Sequence, residues 1–121
     1  PKLGHITTFG GHPINCAAAL ATLEHLLATD IMQEAEKKEQ LFRTHLKHPK
    51  IKEIRGNGLM LALEFNNEEL AQKVLEESLE NGLILFYFLF TKTVIRITPP
   101  LTISDKEIIK GCEIISQILD K

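Results

Sequence analysis

The sequence predicts an α+β fold: an antiparallel sheet covered by helices and preceded by one further helix. Three observations carry this reading. Residues 51–65 and 83–98 have strand character, with clear apolar alternation from Leu59 to Phe65. Three other stretches repeat apolar residues at helical spacing and open on capping residues. The strands fall in adjacent pairs with a helix between the pairs, and neighbouring strands joined by short turns run antiparallel.

The first helix follows Pro13, whose fixed φ pre-sets a first turn. Its run, "INCAAALATLEHLLA", is apolar on nearly every side and rich in small residues. Such a helix is either buried or missing its covers. Asp30 reads as the N-cap of a second helix, with Gln33 as its capping-box partner. Ile31, Ala35, Phe42 and Leu46 form its apolar face, and Glu36, Lys37, Glu39, Gln40 and Arg43 its polar one. Pro49 ends the region. "IKEIRGNGLMLALEF" reads as one or two strands broken at Gly56-Asn57-Gly58. Asn66 with Glu69 opens a third helix with Leu70, Ala71, Val74, Leu75 and Leu79 inward, closed by Asn81-Gly82. "LILFYFLF" and "VIRIT" follow as strands around a hairpin tip at Thr91-Lys92-Thr93. Pro99-Pro100 stops the sheet, because proline cannot donate to a ladder. Ser104 with Glu107 caps a last helix carrying Ile108, Ile109, Cys112, Ile115 and Leu119. The seam is expected near Thr29-Asp30. It separates a junction loop and buried helix at 1–29 from a compact α+β unit at 30–121.

At 121 residues the chain suits one core, burying roughly 60–70% of its unfolded surface. Its net charge is −2 and it has no basic stripe, which argues against nucleic acid and anionic membranes as partners. Cys16 and Cys112 are far apart and form no CxxC, as in a reduced, cytoplasmic protein. The apolar run at 83–90 is too short for a membrane-spanning helix, and no signal peptide is visible. Pro1 in place of methionine fits a cut inside a longer protein.

Two places carry candidate chemistry. In "TTFGGHP", Thr7 and Thr8 put hydroxyls beside the bare backbone of Gly10 and Gly11, just ahead of a helix N-terminus. That is a ready site for a phosphate, each charge-assisted bond contributing about 1.5–3 kcal/mol. The plainer alternative is a polar entry loop to a buried helix. Arg96, in "VIRITPPL", shares a strand face with Val94 and Thr98, opposite Ile95 and Ile97. Near a strand end it can present its planar fork to a carboxylate, the alternative being an edge arginine in a surface salt bridge. His45 and His48 stand at i, i+3 with nothing to complete a metal site, so a solvated helix end is expected and no metal. His5, His12 and His25 are scattered, and only His12 is near the anion loop. No GxSxG, HExxH or P-loop pattern occurs. Lys37, Lys38, Lys47, Lys50, Lys52 and Lys73 fall on polar faces, where lysine makes a poor nucleophile.

Four segments, "HITTFGGHPINCAAALATLE", "IRGNGLMLALEF", "NGLIL" and "VIRITPPLTIS", together resemble the C-terminal part of a class III, pyridoxal-phosphate-dependent aminotransferase. This is the family of the ornithine, acetylornithine and ω-amino-acid enzymes. The resemblance implies the small C-terminal domain of the fold type I transferases, preceded by an interdomain helix. It implies a homodimer in which the threonine loop crosses to the partner subunit. There Thr8 would bind the phosphate of pyridoxal 5'-phosphate, with Thr7 beside phosphate and substrate. Arg96 would hold the substrate carboxylate, and "RGNGLM" would be a structural turn and strand. The intact enzyme would move an amino group between an amino acid or amine and a 2-oxo acid. The Schiff-base lysine, the aspartate for the pyridine nitrogen and the stacking aromatic would all precede Pro1. This chain would then hold no catalytic residue and be inactive alone. Two departures stand out: His12 replaces an asparagine, and "FYFLF" replaces a more polar stretch leading to Arg96. Two rival readings are a non-catalytic module that dimerises or binds through the apolar helix at 13–28, and an aminomutase or racemase on the same scaffold.

Overall fold

The computed structural model describes residues 7–121; His5, named above, lies outside them. Its elements follow the order α1 (Pro13–Ala28), α2 (Glu34–His45), β1 (Ile51–Asn57), β2 (Met60–Phe65), α3 (Glu68–Glu80), β3 (Phe86–Phe88), β4 (Thr91–Ile97) and α4 (Asp105–Asp120). The chain groups into two compact units, Pro1–Met32 and Gln33–Lys121.

In the second unit four strands form one sheet in the order β1-β2-β4-β3, every pair antiparallel. Alternation gives that sheet one apolar face. Leu61, Leu63, Phe65, Ile95 and Ile97 form a single core with Phe42 and Leu46, with Ala71 and Val74 of α3, and with Ile108, Cys112, Ile115, Ile118 and Leu119 of α4. The helices of this unit therefore cover one face of the sheet. The other face carries Met60, Ala62, Glu64, Val94 and Arg96, and of these only Val94 is buried.

The β1–β2 hairpin turns through Gly58-Leu59, where Gly58 has φ +57. Gly56, at φ +118, lies where an added Cβ would meet the Met60 carbonyl oxygen at 2.1 Å, so a side chain there would break the hairpin. Asn81 caps the end of α3 and Gly82 follows at φ +80, the left-handed step expected past a helix end. Ser104 and Glu107 form the expected capping box.

Several local expectations are corrected. Asp30 does not cap α2, which begins at Glu34 behind Gln33 with no side-chain cap. Asn67, not Asn66, caps α3: its Oδ1 accepts from the Leu70 N–H at 2.8 Å. Leu79 is 64% exposed, and Ser78 takes the buried position one residue earlier. Lys38 and Glu39 are buried because the loop before α4 and the β1–β2 turn supply their partners: Lys38 donates to the Leu101 carbonyl at 2.6 Å and Glu39 accepts from the Gly58 N–H. The strand expected over 83–90 shrinks to Phe86–Phe88, and the turn falls at Leu89-Phe90, so Thr91-Lys92-Thr93 already belongs to β4.

The first unit contains α1. No residue of α1 is buried, and Ile14, Leu20, Leu23 and Leu27 are all largely exposed. No described helix is long and apolar enough to cross a membrane.

Candidate functional site

The threonine loop turns tightly into α1. The His12 N–H donates to the Phe9 carbonyl at 3.1 Å, and Asn15 Nδ2 donates to the same oxygen at 3.2 Å. Pro13 has no N–H, and the Cys16 N–H makes the first helical bond, to His12. The amides of Ile14 and Asn15 stand ahead of that bond, where an α-helix offers them no acceptor. Thr7 and Thr8 are exposed and line an open recess with Phe9, Gly10, Asn15, Cys16 and Ala19. Hydroxyl and backbone donors at a helix N-terminus suit a phosphate in chemistry and in sign.

The two glycines differ. A Cβ on Gly10 would lie 2.0 Å from Thr7 Oγ1, so any side chain there would displace the threonine hydroxyl. Gly11 meets nothing within 4 Å. His12 caps α1 through its backbone alone, with no side-chain cap bond.

Arg96 belongs to the second unit. It extends from β4 on the sheet face away from the helices and is exposed. β4 lies between β2 and β3, so the edge position considered above is corrected. The salt bridge considered with it is absent: among the described residues Arg96 forms no ion pair. Its guanidinium carbon lies over the Phe86 ring, 5.2 Å from the centroid, and Phe86 is its register partner on β3. An open trough beside it is lined by Arg55, Met60, Ala62, Phe88, Thr91 and Val94.

The charges around Arg96 are arranged in order across the sheet. Glu64 of β2 binds Lys52 at 2.5 Å and Arg55 at 2.6 Å, both from β1. The Lys52 hydrogen bond is the main cause that holds the Glu64 carboxyl below the ordinary glutamate range, so this group stays an anion. Glu64 was not singled out from sequence, and Phe86 was noted only as part of the "FYFLF" segment. Phe86 sits in an unbroken apolar run, where alternation cannot assign a face, and its pairing with Arg96 appears only once the turn is placed at Leu89-Phe90.

The histidine pair does not converge. His45 is exposed, whereas His48 Nε2 lies 3.1 Å from Asp120 Oδ1 and its Nδ1 accepts from the Lys50 N–H, so the solvated end expected for both is corrected for His48. Among the described residues no cluster of metal-ligating side chains occurs.

The family model described as aminotransferase class-III matches residues 1–119. The chain is 35% identical to the acetylornithine aminotransferase of Caldanaerobacter subterraneus, over 97% of this chain and 30% of that protein. It is 36% identical to the 4-aminobutyrate aminotransferase of Mycobacterium leprae, over 93% of this chain and 28% of that one. Among solved structures, the acetylornithine aminotransferase of Elizabethkingia anophelis superposes with a TM-score of 0.81 at 32% identity, covering 97% of this chain and 32% of its own. The ornithine aminotransferase of Toxoplasma gondii gives 0.79 at 35% identity, covering 96% and 29%. The chain thus spans about 30% of the length of the curated relatives it matches.

Proposed function

The chain belongs to the class III aminotransferase family, and on that premise we propose that it serves an enzyme moving an amino group between an amino acid or amine and a 2-oxo acid. Pyridoxal 5'-phosphate, when bound, supplies the electron sink for bond breaking at the amino-bearing carbon. The residues of this chain bind and orient. Thr8 donates its hydroxyl to the cofactor phosphate, and Thr7 stands beside it, its hydroxyl given room by the missing side chain of Gly10. The open surroundings of Gly11 support close approach by a second subunit, and with it a homodimer. Arg96 holds the carboxylate of the amino acid or oxo acid, fixing the substrate with paired N–H donors. The free thiols Cys16 and Cys112 fit a cytoplasmic enzyme.

One observation carries the reading: an exposed arginine on an inner strand, with no acidic partner among the described residues and an open trough beside it. The test is Arg96→Ala in the enzyme that contains this chain. Transition-state binding of the carboxylate substrate should weaken by about 2–5 kcal/mol, read as kcat/KM. Arg96→Lys should recover only part, because lysine keeps the charge and loses the fork. An unchanged kcat/KM in Arg96→Ala rejects the assignment.

A further inference from the structure

Arg96 and Glu64 lie on the same sheet face as diagonal neighbours: in the β2–β4 register Arg96 faces Ala62 and Glu64 faces Val94. Long side chains so placed are within reach of each other, and opposite charges there pair readily. These two do not. Glu64 turns toward β1, to Lys52 and Arg55. Arg96 turns the other way, toward β3, and lies over Phe86. We propose that Phe86 is a positioning residue for Arg96 and that, with Lys52 and Arg55 holding Glu64, it keeps the guanidinium unpaired for an external carboxylate. The proposal rests on the reading of Arg96 as the carboxylate holder.

The physical basis is the shape of the guanidinium. An aromatic ring attracts its flat face through the ring quadrupole. A carboxylate binds its edge, through two in-plane N–H groups. Phe86 can therefore orient Arg96 without using the donors that a substrate needs. Glu64, if free, would take those donors and cancel the charge. Glu64 already has Lys52 at 2.5 Å and Arg55 at 2.6 Å, the latter shared with Glu53 at 3.5 Å, so it gains less by turning to a third cation.

The test uses NMR on the 121-residue chain, with Phe86→Leu and Phe86→Tyr, each alone and with Glu64→Gln. The Arg96 side-chain protons should show an upfield ring-current shift that Phe86→Tyr keeps and Phe86→Leu loses. In Phe86→Leu the Glu64 carboxyl should titrate at lower pH as Arg96 joins it, a change that loss of packing alone would not cause. Unmoved Arg96 shifts, or an unmoved Glu64 titration, overturn the proposal. Should Phe86→Leu fail to fold, Lys52→Gln with Arg55→Gln asks the same question from the other side. The freed Glu64 should then draw Arg96 off the ring, and a retained ring-current shift overturns the proposal. In the enzyme that contains this chain, Phe86→Leu should lower kcat/KM for the carboxylate substrate roughly 2- to 30-fold, with partial recovery on adding Glu64→Gln. A loss in Arg96→Ala with none in Phe86→Leu rejects the positioning role alone. No loss in Arg96→Ala rejects the carboxylate reading itself.

Discussion

Glu39 accepts from Arg43 Nε at 2.7 Å and from the Gly58 N–H at 2.5 Å, and is only 7% exposed. Arg43 in turn donates to the carbonyls of Ile54 and Gly56. One carboxylate thus ties α2 to the turn of the first hairpin. The hydrogen bond from Arg43, and then that from the Gly58 N–H, hold its carboxyl below the ordinary value of 4.5. A carboxyl depressed in the folded state contributes stability that is full above its unfolded value and is lost as pH falls through the folded one. Stability should therefore decline below about pH 4.5, and Glu39→Gln should flatten that decline. Glu39→Ala should cost about 1–3 kcal/mol near neutrality in urea unfolding, because two donors lose their acceptor. A lone sequence hides this role. Glu39 sits among Glu36, Lys37 and Gln40 on what reads as a solvated face, and its partner lies across a hairpin that periodicity alone does not position.

At the scale of elements, local chemistry made some features legible and left others open. The Ser104 and Glu107 pair is one: spacing alone names it, and Ser104 N donates to Glu107 Oε2 at 2.8 Å. Asp30 and Gln33 have the same spacing and form no cap, because α2 starts only at Glu34. The two sites allow a direct contrast. Ser104→Ala should cost about 0.5–2 kcal/mol, as loss of a true N-cap does. Asp30→Ala should change stability by less than about 0.5 kcal/mol, as exposed substitutions usually do. Chemical denaturation of both variants checks the pair. Residues 83–90 were harder, since eight apolar residues in a row carry no period. Only three of them pair in β3, and Phe90 at the turn is 97% exposed. Element order and the antiparallel sheet were legible because alternation and capping agree over long stretches. The face order across the sheet was not, because it depends on which strands pair.

For the whole molecule, membership of the family and a span of about 30% of its curated relatives frame the activity. The groups proposed here for this chain bind phosphate and carboxylate; none of them is a nucleophile. The purified 121 residues with added pyridoxal 5'-phosphate should therefore give no oxo acid from an amino donor, followed by a coupled dehydrogenase assay. Measurable transamination would refute the division of labour. The threonine loop and Arg96 were legible in sequence as chemically suited residues, and resemblance gave them roles. The neighbours of Arg96 were not, since Glu64 and Phe86 stand 22 residues apart in sequence, on different strands, and meet it only through the sheet.

The strand order has a consequence for how this sheet assembles. β1 with β2, and β3 with β4, are each joined by a two-residue turn, so both hairpins close over short loops at small entropic cost. The sheet becomes one only when β2 finds β4, across the whole of α3 and β3. That single non-local pairing places β4 between its two neighbours and makes Arg96 an inner-strand residue. Loop closure costs more over longer separations, so of the three strand pairings this one carries the largest entropic cost. Arg96 and Glu64 therefore share a sheet face only through that pairing.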